Sequence, residues 1–160
     1  MNKFTEQANL MKEEIIGYRR TIHSNPEVGQ ELPKTKKYVM DKLREFGYCP
    51  EEICESGIVA TIEGSKPGKT FLLRADMDAL PITEKTTCDF KSDNGCMHAC
   101  GHDMHTAMML GAARLLKAHE DEIEGTIKLM FQPAEEIFEG SHNMIEAGLL
   151  ENPKVDAALM

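Results

Sequence analysis

The chain has 160 residues, 41% of them hydrophobic and 28% charged, and 18 Lys+Arg set against 27 Asp+Glu leave a net charge of −9. That is enough for one folded domain with a real core, and it excludes a disordered or collagen-like chain. With no basic cluster longer than Lys34-Thr35-Lys36-Lys37, nucleic acid is not an expected partner, because that affinity comes from cations neutralising phosphates.

Leu10, Ile15, Tyr18 and Ile22 recur at helical spacing, so residues 4–23 are expected to form one helix ending at Ser24-Asn25-Pro26, where proline disfavours continuation. Pro33 suits the first position of a second helix, whose stripe of Tyr38, Val39, Leu43 and Phe46 stops at Gly47. The period then changes, and residues 48–54, 58–63 and 70–75 read as strands punctuated by Gly57 and Pro67-Gly68. Residues 76–100 show little periodicity and many turn formers, which predicts a long ordered loop of the kind that carries function. Residues 103–118 return to helix, with Met108, Ala112 and Leu115 on one face and Asp103 placed to cap it. A strand at 126–131 ends at Gln132-Pro133, a short helix covers 141–147, and 155–160 reads as an apolar, buried strand. This order predicts an α/β fold in which a mixed sheet is flanked by helices. The last strand stops without a turn, cap or polar tail, so the sequence is expected to be a fragment.

No apolar run approaches the roughly 20 residues that span a bilayer, so no membrane partner is expected. Residues 1–20 alternate charge with apolar side chains and do not form a signal peptide, which makes a cytoplasmic location the default expectation. Five cysteines, at 49, 54, 88, 96 and 100, do not make a secreted disulfide framework.

Chemistry concentrates in three places. Met97-His98-Ala99-Cys100-Gly101-His102-Asp103-Met104-His105 combines three histidines, a cysteine and an aspartate, the donor types of a borderline divalent ion such as Zn²⁺. On a helix Cys100 and His102 would point to nearly opposite sides; in an extended loop hinged at Gly101 they converge on one ion. Gln132-Pro133-Ala134-Glu135-Glu136 leaves a strand whose ladder Pro133 blocks, presenting two carboxylates at the carboxyl end, where open α/β sheets place ligands. Neighbouring carboxylates that point different ways suit a division of labour, one on a metal and one on the water it activates. A solvated acidic turn is the plain alternative. Arg74-Ala75-Asp76-Met77-Asp78 leaves another strand with both aspartates on one face, either of them able to fix the tautomer of a ligating imidazole. A surface Arg–Asp pair would use the same residues.

Two further readings stay open. Cys100 between His98 and His102 is compatible with a thiolate nucleophile and its base. Cys49, Cys54, Cys96 and Cys100 are compatible with a structural zinc site, although their spacings match no familiar knuckle. Gly64-Ser65-Lys66-Pro67-Gly68-Lys69-Thr70 imitates a phosphate loop but is short between its glycines and leads into a strand, so a hairpin turn is expected there.

Together, Arg74-Ala-Asp-Met-Asp-Ala-Leu-Pro-Ile82, Met97-His-Ala-Cys-Gly-His-Asp103 and Phe131-Gln-Pro-Ala-Glu-Glu136 resemble the M20 family of metallopeptidases and amidohydrolases. The nearer match is its branch of N-acyl-amino-acid amidohydrolases, hippurate hydrolases and auxin-conjugate hydrolases, whose opening is similar to Arg19-Arg20-Thr21-Ile22-His23-Ser24-Asn25-Pro26-Glu27. The resemblance implies a zinc-peptidase-like catalytic domain, of which residues 1–160 are the N-terminal portion. It implies hydrolysis of N-acyl amino acids or short peptides with two divalent ions, Zn or Mn, with Co or Ni also compatible. Carried over, it makes Cys100, His102 and Glu136 metal ligands, with Cys100 a candidate bridge, Glu135 the general base and Asp78 the aspartate that supports the site. Asp76 stands where other branches carry a ligating histidine. The family pattern continues with a histidine ligand after a strand like 155–160, a smaller dimerisation domain and a return bearing a final histidine. Neither the dimerisation domain nor the return is in these residues, and the full-length form is expected to be a homodimer. A truncated, non-catalytic metal-binding relative is the reading from another class.

Overall fold

A computed structural model describes residues 2–160, and in it the first expected helix is two. α1 (Lys3–Leu10) and α2 (Lys12–His23) meet at Met11, whose ψ of 1° ends the first. α1 buries no side chain, whereas α2 buries Tyr18, Ile22 and His23; the break lets α2 follow the core while α1 lies on the surface. Pro33 does open α3 (Pro33–Glu45). The unpaired N–H groups of its first turn are met from outside, Lys34 N and Thr35 N donating to the Glu27 carboxylate at 3.1 and 2.8 Å.

β1 (Glu51–Cys54), β2 (Gly57–Glu63), β3 (Lys66–Asp76), β4 (Glu124–Gln132) and β5 (Ala157–Leu159) form a mixed sheet in the order β1-β2-β4-β3-β5. β2 is antiparallel to β4, and β3 is parallel to both β4 and β5. The hairpin expected at residues 64–70 is therefore not formed: β4 lies between β2 and β3, and Lys66 already pairs with Glu124. β4 takes the middle because Lys128 to Gln132 are buried on both faces, as a central strand requires. The connection crosses the start of β4 so closely that a Cβ on Gly64 would lie 2.1 Å from Ile123 O, which explains a glycine there better than phosphate binding does.

Alternate strand residues serve two layers. Ile58, Ile62, Ala75, Leu129 and Phe131 pack with Tyr18, Leu43 and Leu110, hence against α2, α3 and α4 (His102–Ala118). Val59, Leu72 and Met130 face the other way, against Met144 of α5 (Gly140–Glu146) and Leu149. Burial of each such Leu, Ile or Phe contributes roughly 1.5–3 kcal/mol. Gly111 lets α2 lie against α4, since a Cβ there would meet Ile15 Cδ1 at 2.8 Å. β5 corrects the last expectation: it is an exposed edge strand, not a buried one, with no described element beyond it in the sheet. The loop 77–101 is ordered as expected, with Leu80 and Met97 exchanging backbone hydrogen bonds of 3.0 Å. No helix among the described residues is long and apolar enough to cross a membrane.

Candidate metal centre

β3 and β4 run parallel and end together, Asp76 beside Gln132, and Met77 N extends the ladder to Gln132 O at 2.8 Å. The segments leaving the two strands therefore emerge at one carboxyl edge, the usual ligand position in such sheets. Asp78 arrives there from β3 and Glu135 and Glu136 from β4, while the start of α4 brings Cys100 and His102. Ala134, at φ 53°, turns the chain after Pro133. That turn closes so tightly that a Cβ on Gly140 would lie 1.6 Å from Pro133 O.

His102 is the first residue of α4, not part of an extended loop, and Gly101 at φ 88° supplies the bend that sets it beside Cys100. Donor atoms of Cys100, His102 and Glu136 all lie within 4.8 Å of one another. His102 Nδ1 donates to the Asp78 carbonyl oxygen at 2.9 Å, so in the neutral ring it is Nε2 that carries the lone pair. Nε2 lies 3.7 Å from Glu135 Oε2, 3.9 Å from Glu136 Oε1 and 3.7 Å from Asp76 Oδ1. Asp78 is fully buried, and its Oδ2 accepts from Glu136 N at 3.1 Å. One aspartate residue thereby holds both the imidazole and the backbone of the neighbouring glutamate. The Glu135 side chain is 34% exposed against 17% for Glu136, so Glu135 is the more accessible of the two carboxylates.

Asp76 is not a surface partner of Arg74. It is buried, and its carboxylate is shared between Arg74 Nη1 at 2.8 Å and His105 Nδ1 at 2.6 Å. Nor does Asp103 cap α4: its Oδ2 accepts from Arg19 Nε at 2.8 Å and meets His23 Nδ1 at 2.7 Å, and Gly101 occupies the capping position. Glu84, which sequence reading passes over, is buried against His23 Nε2 at 3.1 Å. The one signal for it was its place in a loop already marked as functional.

The electrostatics are those of a cation site. Burial pulls the His102 imidazolium down, but its bonds to Asp78 and the charge of Asp76 outweigh this and leave it raised to about 9. The Glu136 carboxylate, then burial, then Glu135 and Asp78 push the Cys100 thiol up to about 11. Burial raises Asp78, yet His102 and the amides of Glu136 and Glu135 hold it below its ordinary value. Glu136 Oε1 and Asp78 Oδ1 are buried without a hydrogen-bond partner. A divalent cation held by N, S and O donors would engage such an oxygen and reverse the thiol's preference, so the residues fit one. A raised thiol argues against Cys100 as a nucleophile, which needs a lowered one. Among the described residues, Cys49, Cys54 and Cys96 join no group of potential metal donors.

The sequence profile of Peptidase family M20/M25/M40 matches residues 72–160. An N-acyl-L-amino acid amidohydrolase of Geobacillus stearothermophilus is 41% identical over 148 residues, 91% of this chain and 40% of the relative. Thermostable carboxypeptidase 2 of Saccharolobus solfataricus is 46% identical over 155 residues, 94% of this chain and 39% of the relative. A solved structure of a dinuclear metal binding peptidase from Bacillus subtilis is similar at a TM-score of 0.89 and 38% identity, over 94% of this chain and 42% of that one. The chain spans about two-fifths of the length of these relatives.

Proposed function

From the premise that this chain belongs to peptidase family M20/M25/M40, we propose that it forms the N-terminal part of the catalytic domain of a metal-dependent amidohydrolase. The substrates are N-acyl amino acids, acetylated, benzoylated or similar, and the products a carboxylic acid and a free amino acid. The observation that carries the reading is the convergence of Cys100, His102 and Glu136 within 4.8 Å, with Glu135 Oε2 3.7 Å from His102 Nε2.

Cys100, His102 and Glu136 are the metal ligands contributed by these residues; the whole enzyme uses two divalent ions, Zn²⁺ or Mn²⁺, with Co²⁺ or Ni²⁺ compatible with the donors. The chemistry such an ion supplies when bound is polarisation of the acyl carbonyl and a lowered pKa for the attacking water. Asp78 keeps His102 in the tautomer with Nε2 free. Glu135 takes the proton of the attacking water on its carboxylate and returns it to the departing amine nitrogen. The full-length form works as a homodimer in the cytoplasm. N-acyl amino acids are put first on the strength of the amidohydrolase relative, and short peptides are the other substrate class, on the strength of the carboxypeptidase relative.

Amine release from N-acetyl and N-benzoyl amino acids, assayed beside dipeptides with the full-length form, tests this. Release should vanish with a chelator and return with Mn²⁺ or Zn²⁺. Release that survives metal removal would refute the reading, and bound metal with no turnover on any amide would favour a non-catalytic binding relative.

A further inference from the structure

A cavity of about 430 Å³ borders Cys100 and Gly101 and is walled by His23, Glu84, Cys88, Phe90 and His98. We propose that His23, Glu84 and Cys88 form a second, separate site for a zinc-class divalent cation, with His98 on the same cavity wall, its ring centre 6.3 Å from that of His23. The site shares no ligand with the Cys100, His102 and Glu136 set and stands independently of the hydrolase reading.

Geometry carries the argument first. Candidate donor atoms of the three residues lie within 4.8 Å of one another, with His23 Nε2 3.1 Å and Cys88 Sγ 3.9 Å from Glu84 Oε1. With metal–ligand bonds of about 2.0–2.3 Å, the edges of a tetrahedral site are about 3.3–3.8 Å, and the two distances to Glu84 Oε1 fall close to that range. The donors are also oriented in advance. His23 Nδ1 is held by Asp103 Oδ2 at 2.7 Å, which turns Nε2 toward Glu84, the carboxylate–histidine arrangement that aims a metal-binding imidazole. The other Glu84 oxygen accepts from Ser92 N at 2.7 Å, so the carboxylate is fixed before any ion arrives. Imidazole, carboxylate and thiol together suit a borderline ion and are a poor set for Mg²⁺ or Ca²⁺.

His98 supplies the independent observation. It is 4% exposed, lines the same cavity, and neither of its ring nitrogens has a hydrogen-bond partner. A purely structural polar network would have satisfied at least one of them, because a buried donor or acceptor left without a partner costs about 1–3 kcal/mol.

Co²⁺ titrated into the 160-residue chain reads the two sites separately, because a bound thiolate gives a sulfur-to-cobalt charge-transfer band. Cys100→Ser removes the thiolate of the first site, so a band in that variant that disappears in the Cys88→Ser, Cys100→Ser double variant is the expected result. Glu84→Gln, placed in the Cys100→Ser background, should weaken that Co²⁺ binding at least about tenfold, with circular dichroism and thermal melting checking that the fold is kept. A band in Cys88→Ser but none in Cys100→Ser overturns the proposal and leaves the first site standing. A band in Cys100→Ser but none in Cys88→Ser supports the proposal and counts against Cys100 as a ligand. No band in either single variant, or a band that persists in the double variant, overturns the proposal.

Discussion

Metal binding at the Cys100, His102 and Glu136 set should release about two protons per ion. At pH 7 an imidazolium raised to about 9 and a thiol pushed up to about 11 both carry their protons, and a ligating imidazole and thiolate cannot. Cys100 is exposed, so solvent screens part of its shift; even at the ordinary value of 9.0 the thiol is protonated at pH 7, and the proton count does not change. Protons compete with the ion, so affinity is lost as pH falls. The logarithm of the apparent Zn²⁺ affinity should rise by about two for each pH unit between roughly pH 6.5 and 8.5, then by about one once His102 has titrated. Isothermal titration of Zn²⁺ into a Cys88→Ser background, in buffers of different ionisation heat, measures the protons directly. Cys100→Ser in that background should release about one. A count well below one in the parent, or an unchanged count after Cys100→Ser, would refute both the ligand assignment and the electrostatics behind it.

Three other outcomes rest on individual contacts. Glu135→Gln in the full-length form should lower kcat by at least about 100-fold while bound metal per chain is unchanged, since general-base catalysis is worth about 10²–10⁴-fold; near-normal turnover would remove Glu135 from the mechanism. Asp78→Ala should weaken metal binding about 10–100-fold, because the carboxylate that fixes Glu136 is lost, and equilibrium dialysis against Zn²⁺ checks it. Lys128 Nζ donates to Leu149 O, Glu151 O and Pro153 O at 2.7, 2.6 and 3.1 Å, so Lys128→Met should cost about 3 kcal/mol in urea unfolding by leaving those carbonyls without their donor; an unchanged midpoint would mean that water replaces it.

Residue type made the first site readable in advance. Cysteine, histidine and paired glutamates at strand ends are rare enough together that Cys100, His102, Glu135 and Glu136 stood out, and Gly101 announced the bend beside them. Strand order was not readable: 58–63 and 126–131 carry apolar patterns that fix which face is inward, and neither names its neighbour. The Met11 break escaped because a helical period continues through it. Asp103 read as a cap by its local position, but its partners Arg19 and His23 lie in another helix, and only the packing of α2 on α4 brings them together. Glu84 was invisible for a statistical reason, since glutamate is almost always a surface residue.

The insertion of β4 between β2 and β3 also sets a schedule for the chain leaving the ribosome. Both flanking strands are complete by residue 76, yet their shared partner begins at Glu124. Until then β2 has only β1 to pair with, and the rest of its backbone, with all of β3, is an open edge that chaperones or other nascent chains can reach. Glu135 and Glu136 are translated immediately after the strand that joins β2 to β3, so the pairing of those two strands and the arrival of the paired carboxylates beside Cys100 and His102 become a single event in synthesis, while the other edge of β3 waits for β5.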